Sequence, residues 1–310
     1  MNLGAATRTC PVCEARDLAR QHDDVEDFEY RVPTERSFSI LRCRACGSDH
    51  LDPRPSVSEI ASFYPADYHA YHDDHSGLAR LLVRLRSRSR ARFYQRLIPG
   101  GSGRLFDVGT GDCRHFDALK PHCKLDFAGV EIKPEIAEKA RVRGYDVETG
   151  TLETMDIERH VGRYDIISMN HVIEHVLDPR EMVRRSFALL KPGGYAIGQN
   201  PARDCWEEKI AGRYWAGYHF PRHLQAFTYR GMEGILQQAG FTDVEVTTAP
   251  HVQAALSLQN RLVGSNRSPR MRYGKMPFYS WLILAALPFE TIAWLAGKGG
   301  VLNFSARKPL

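Results

Sequence analysis

The chain has 310 residues, 43% of them hydrophobic and 25% charged, with a formal net charge of +5. That length accommodates one full α/β domain plus something smaller, and the composition is ordinary for a soluble globular protein. The first residues, MNLGAATRTCPVC, hold no apolar core flanked by basic residues, so no signal peptide is expected; in a reducing cytoplasm the seven cysteines do not form a disulfide framework.

Residues 1–75 carry two matched cysteine pairs, Cys10-Pro-Val-Cys13 and Cys43-Arg-Ala-Cys46, the second followed by Gly47. Two knuckles of this spacing bring four thiolates to one tetrahedral centre, so a structural zinc ion is expected in a small zinc-ribbon-like module. Cys113, Cys123 and Cys205 stand alone and read as small packed residues. Residues 76–98 read as a helical linker with Leu78, Leu81, Leu82 and Leu85 at helical spacing. Arg80, Arg84, Arg86, Arg88, Arg90, Arg92 and Arg96 crowd the same stretch with no acid among them; the plain expectation is a solvated face, the sharper one contact with an anion.

After the PGGSG break at 99–103 the pattern alternates strand and helix, which implies a parallel sheet with crossovers. RLFDVG, FAGVEI, YDIISMN and YAIGQN read as strands, followed by DVEVTTA and, much later, VLNFSARK. PEIAEKARVRG and PREMVRRSFALLKPGG read as helices ended by glycine. The expected catalytic domain is therefore 99–249 plus 301–310, interrupted by an insertion at 250–300 that is expected to act as a lid over the acceptor pocket, with an interfacial anchor and plain core packing as the alternatives. Within it FYSWLILAALPFETIAWLAG, 278–297, is apolar around most of its circumference but carries Pro288 and Glu290. It is too short to span a bilayer, and burial against protein or lipid is expected.

The first strand runs into Asp107-Val-Gly109-Thr-Gly111-Asp112, a turn whose glycines let backbone approach a ligand. A dinucleotide fold would place a third glycine further on, and here it is missing. These residues resemble motif I of the class I S-adenosylmethionine-dependent methyltransferases, with Cys113 where the last glycine usually lies. The second strand ends in Gly129-Val-Glu131, an acid placed to accept ribose hydroxyls. By the same resemblance Thr151, Leu152 and Glu153 fall at the adenine, Asn170 and His171 lie beside the methionyl part, and LKPGG at 190–194 precedes strand five. The resemblance implies a Rossmann-like sheet of seven strands with the last one antiparallel, and S-adenosylmethionine as cofactor.

His171-Val-Ile-Glu174-His175 matches an H-x-x-E-H metalloprotease pattern, but it follows a strand rather than lying inside a long helix, so metal binding is not expected there. Between strand five and the next helix, a segment dense in aromatics holds His219 and His223. A histidine at that sheet edge can remove an acceptor's proton near neutral pH, and both are candidate bases. The expected activity is methyl transfer to a small-molecule or glycan/lipid-linked acceptor in a biosynthetic pathway, O-methylation first, with peripheral membrane contact through 278–297. The alternatives are RNA methylation using the zinc module and the arginine-rich helix, and a non-catalytic zinc-dependent binding module.

Overall fold

The computed structural model describes residues 8–65, 77–249, 251–265 and 271–310. Tyr68 and the side chains of Leu78, Leu81, Leu82, Leu85, Arg80, Arg84 and Arg86 lie outside the described residues. In chain order the N-terminal module contributes β1 (Leu18–His22), β2 (Ser39–Cys43), β3 (Asp49–Asp52) and α1 (Val57–Ser62), and α2 (Gly77–Leu97) follows. On α2 the inward positions are Ser87, Ala91, Tyr94 and Ile98 just beyond its end, while Arg88, Arg92 and Arg96 repeat every four residues on an exposed face.

The catalytic domain runs β4 (Ser102–Val108), α3 (Arg114–Leu119), β5 (Lys124–Glu131), α4 (Pro134–Val142), β6 (Asp146–Thr149), β7 (Tyr164–Asn170), α5 (Pro179–Leu189) and β8 (Leu190–Pro201). It continues through α6 (Trp206–Ala211), β9 (Gln225–Ala226), α7 (Tyr229–Gln238) and β10 (Thr242–Ala249), then α8 (Ala254–Gly264), α9 (Tyr279–Leu295) and β11 (Val301–Arg307). Seven strands form one sheet in the order β10-β11-β8-β7-β4-β5-β6, with β11 antiparallel to both neighbours. This is the Rossmann-like α/β architecture anticipated from the sequence. Its central strands are nearly continuous buried runs, as strands covered by helices on both faces must be. One face packs Leu105, Ile166 and Phe127 against α2, α3 and α4; the other packs Phe106, Ile167 and Met169 against α5, α7 and the N-terminal module.

One detail departs from the sequence reading and two go beyond it. Helix α5 ends at Leu189 without a glycine, because Leu190 turns directly into extended backbone, so LKPGG opens strand β8 at the edge remote from Gly109. There Lys191 pairs with Asp165 at 2.8 Å. Strand β10 has β11 as its hydrogen-bonded neighbour and pairs with it antiparallel, although it runs in the same sense as β8. The N-terminal module is joined to the catalytic domain: β9 adds to its sheet as a fourth strand, and Cys10, Val12 and Phe38 belong to the same core cluster as Ile167 and Met232.

The insertion is a helical pair. Strand β10 ends at Ala249 and β11 begins at Val301, opposite Pro201, so the insertion leaves and re-enters at the C-terminal edge of β8. Glu290 on α9 accepts from the backbone N–H of Ala254 at 2.6 Å and caps the start of α8. On α9 only Ala286, Glu290 and Ala293 are buried. Burial around the circumference of 278–297 is thus not found: most of its apolar side chains are partly or fully exposed. No helix among the described residues is long and apolar enough to cross a membrane.

Candidate active site and cysteine centre

At the C-terminal end of β4 the chain turns through Gly109 and Gly111, both at positive φ, and reaches α3 through Cys113. Cys113 occupies the left-handed region at φ 63°, the conformation that favours glycine, at a cost of roughly 1–2 kcal/mol. The turn is tied to the next strand by Gly109 N–H and Thr110 N–H, which both donate to Val130 O. Gly129 makes that approach possible. A Cβ there would sit 2.2 Å from Thr110 Cγ2 and 2.3 Å from Asp107 O, so no other residue fits without moving the turn.

Glu131 is 9% exposed and serves the turn directly: Gly111 N–H donates to Oε2 at 2.9 Å and Lys133 N–H to Oε1 at 3.0 Å. Each oxygen keeps a lone pair, so the carboxylate can accept two more donors, as a ribose diol offers. Gly150 N–H donates to Glu131 O and brings the loop after β6 alongside. Thr151 and Glu153 are partly exposed on that loop, whereas the Leu152 side chain is wholly buried and its carbonyl accepts from Arg185. Asp107 is buried and accepts from His115 Nε2 at 3.1 Å. Asn170 donates to Ser168 Oγ, and His171 sits at φ 54° with its N–H on Gln199 O.

Tyr94, unremarked in the sequence, is buried on α2 with its hydroxyl beside Asn170, Ser168 and Asp107; burial pushes it up to about 12. The insertion reaches the site too, where the rings of His251 and His171 meet at 6.3 Å.

The two candidate bases have different surroundings. His219 is buried, its Nε2 accepts from Arg222 Nε at 3.0 Å, and its Nδ1 therefore carries the proton shared with Glu29 at 2.9 Å. With both nitrogens committed, His219 is not placed to act as a base. It ties the module to the domain alongside Arg222, which is 1% exposed and grips Asp27 with two parallel bonds of 3.0 and 2.9 Å.

His223 is different. Its Nδ1 donates to Gly217 O at 2.8 Å, which leaves the Nε2 lone pair unprotonated. The ring lies 4.6 Å from that of His175, which in turn donates Nδ1–H to Arg222 O at 3.1 Å. Burial first, then His175 and His219, hold the His223 imidazole well below its usual proton affinity, so it is neutral at pH 7. Glu174 completes the group: it is fully buried, Oε1 meets His171 Nδ1 at 3.3 Å, and Oε2 has no hydrogen-bond partner. Donor atoms of Glu174, His175 and His223 lie within 4.8 Å of one another. The H-x-x-E-H segment is thus a turn following β7 rather than a helix, as expected, but its last two residues converge with His223.

The four module cysteines are brought together. Cys10 Sγ lies 3.7 Å from Cys46 Sγ and Cys13 Sγ 3.5 Å from Cys43 Sγ, and all four lie within 4.8 Å. Zinc–sulfur bonds of about 2.3 Å in a tetrahedron put the sulfurs roughly 3.8 Å apart, so the cage has the right size. Glu14 and Gly47, each directly after the last cysteine of a knuckle, take the positive φ that folds the chain back. Neighbouring thiols also divide: Cys46 is drawn down to about 5 by the Cys10 thiol, while Cys10 is pushed up by Cys46 and burial. Four thiolates at this separation would need a cation between them, and the grouping of the four sulfurs fits one.

A methyltransferase-domain family model matches residues 78–246, more than half of the chain. The chain belongs to this methyltransferase family. Its motifs and seven-stranded sheet are those of the class I S-adenosylmethionine-dependent methyltransferases. Curated relatives include the ubiquinone biosynthesis O-methyltransferase of Bordetella avium (strain 197N), 30% identical over 107 residues, or 32% of this chain and 44% of that protein. The protein of the same name from Vibrio parahaemolyticus is 38% identical over 101 residues, covering 30% and 42%. The chain thus spans less than half the length of the curated relatives it matches. Phosphoethanolamine N-methyltransferase 2 of Haemonchus contortus, solved with S-adenosyl-L-methionine, shares the fold at a TM-score of 0.50 and 16% identity, over 72% of this chain and 53% of that one.

Proposed function

We propose that this chain catalyses S-adenosylmethionine-dependent O-methylation of a small-molecule or glycan/lipid-linked acceptor, with His223 as the general base. The observation that carries this reading is the shared sheet edge. The Gly109–Gly111 turn with Glu131 and the unprotonated Nε2 of His223 both stand at the C-terminal ends of the strands, where ligands of open α/β sheets bind. When bound, S-adenosylmethionine supplies an electrophilic methyl group on a sulfonium. Glu131 holds the ribose, and the exposed part of the 151–153 loop borders the adenine. His223 Nε2 takes the acceptor hydroxyl's proton, and Gly217 O keeps the other ring nitrogen protonated so that Nε2 faces the acceptor as the base. General bases of this kind contribute about 10²–10⁴-fold. Cys10, Cys13, Cys43 and Cys46 would hold one zinc ion in a purely structural role, since all four positions are filled by sulfur. Relatives named as ubiquinone O-methyltransferases support an oxygen acceptor over nitrogen.

The test is transfer of tritiated methyl from S-adenosylmethionine into the metabolite, lipid and RNA fractions of a cell extract. Label in a base-stable, extractable metabolite or lipid is expected. Label confined to RNA would move the reading to the exposed Arg88, Arg92 and Arg96 face as a phosphate track, and label in no fraction would leave a binding module.

A further inference from the structure

We infer that α9 is a membrane-docking element that lays its outer face on an anionic lipid surface. Helix α9 inverts the usual arrangement of a surface helix. Its one charged residue, Glu290, is 5% exposed and turned inward onto α8, whereas Trp281 (72%), Leu284 (56%), Ile292 (60%) and Leu295 (73%) point outward. These positions recur every three to four residues or at twice that spacing, so they share a face along the whole helix. Seventeen residues at 1.5 Å rise give a rod about 25 Å long, too short to cross a bilayer upright and suited to lying in its plane. Tryptophan stands near each end, at Trp281 and Trp294, the residue whose indole settles at the headgroup level.

The charges around the helix decide among occupants. Arg272 and Lys275 precede it, both exposed, and Lys298 follows it, while no acid is exposed along it. Two copies of the chain packed through α9, in either sense, would set cationic ends against cationic ends. A protein groove would need hydrogen-bonding side chains on the face, about one per 100–200 Å². Here Thr291 is already turned back onto Leu287 O, which leaves Ser280 and the indole N–H groups of Trp281 and Trp294, the last two suited to the headgroup level. A fluid surface with apolar depth and anionic headgroups asks for neither. The location gives the contact a use: Ser257 Oγ on α8, beneath α9, accepts from Ala216 N–H at 2.7 Å, in the same loop that carries His223. An amphiphilic acceptor would therefore be presented on the insertion's side of the active site.

The experiment is vesicle flotation of the full chain with phosphatidylcholine alone and with phosphatidylcholine plus phosphatidylglycerol. Binding to the phosphatidylglycerol vesicles, weakened by salt, is expected. The double variant Trp281→Glu/Leu284→Glu should lose on the order of tenfold or more of the bound fraction. Calorimetric S-adenosylmethionine affinity, read on the same variant, should be unchanged and shows that the fold is retained. Absence of vesicle binding by the unaltered chain would overturn the inference. So would sedimentation showing a dimer that the double variant dissociates, which would assign the face to a second copy. Neither readout involves methyl transfer, so failure here leaves the catalytic reading standing, and the reverse.

Discussion

Replacing Glu131 with alanine tests the cofactor site through two separable losses. The carboxylate now accepts from Gly111 N–H and Lys133 N–H at 2.9 and 3.0 Å while 9% exposed, so its removal strands two backbone donors at the lip of the turn. Each bond to a charged acceptor contributes about 1.5–3 kcal/mol, and water entering the vacated space will satisfy part of that. A stability loss of about 2 kcal/mol is expected in urea titration. The cofactor loses its ribose acceptor as well, about another 1.5–3 kcal/mol, which corresponds to a roughly 10- to 150-fold weaker dissociation constant by calorimetry. Glu131→Gln divides the two effects: the amide oxygen still accepts from one N–H, but its NH₂ then faces the other donor. It should recover much of the size-dependent packing and little of the affinity. Unchanged S-adenosylmethionine affinity in a folded Glu131→Ala protein would refute the assignment, and the ribose would then be held by the loop after β6.

Purified protein should carry one zinc per chain by elemental analysis, and Cys43→Ser should lose it together with solubility; full zinc in that variant would exclude the cage formed by Cys10, Cys13, Cys43 and Cys46. His223→Ala should lower kcat at least about tenfold with cofactor affinity nearly intact, whereas a drop in stability alone would make this histidine a loop tie. Because His223 binds its proton less readily folded than unfolded, the acid limb of kcat/KM should lie below the ordinary histidine value of about 6.5, and its contribution to stability should be lost as pH falls below that value. Glu207 on α6 is raised to about 8 by burial and its Oε2 has no partner, so the folded state keeps a proton that the unfolded chain releases near 4.5. Stability should therefore fall as pH rises from 4.5 to 8, by at most about 4–5 kcal/mol, and Glu207→Gln, still able to accept from Ser257, should flatten that slope in urea titrations; an unchanged slope would refute it.

What was legible in the sequence was what short-range constraint writes there. Cysteine knuckles need two-residue spacers to fold back on one ion, and the Gly109–Gly111 turn needs glycine where φ is positive. The acid at Glu131 has to close the very next strand, so its position is set by one crossover. Strand identity followed for the same reason, since buried parallel strands are continuous apolar runs. Strand β6, four residues with alternating exposure, carries no such run.

What escaped was set by contacts between distant segments. Nothing near His219 announces that Glu29, 190 residues away, will accept its Nδ1–H, or that Arg222 will occupy its other nitrogen. A histidine in an aromatic loop reads as a base until both nitrogens are accounted for. Leu152 is a related case, because its motif position marks the backbone of the loop while its side chain answers to the core it meets. Helix α9 is the converse case. Its composition was plain, and the expectation was burial against protein or lipid, but an apolar helix is buried against protein only where a partner surface exists. Here α8 offers a strip just wide enough for Ala286, Glu290 and Ala293, two small residues and one acid that caps a neighbour. Such a strip can orient a helix without covering it. The large side chains are then left outside by geometry rather than by polarity, and an exposed apolar face of that kind is the feature from which the lipid contact is inferred.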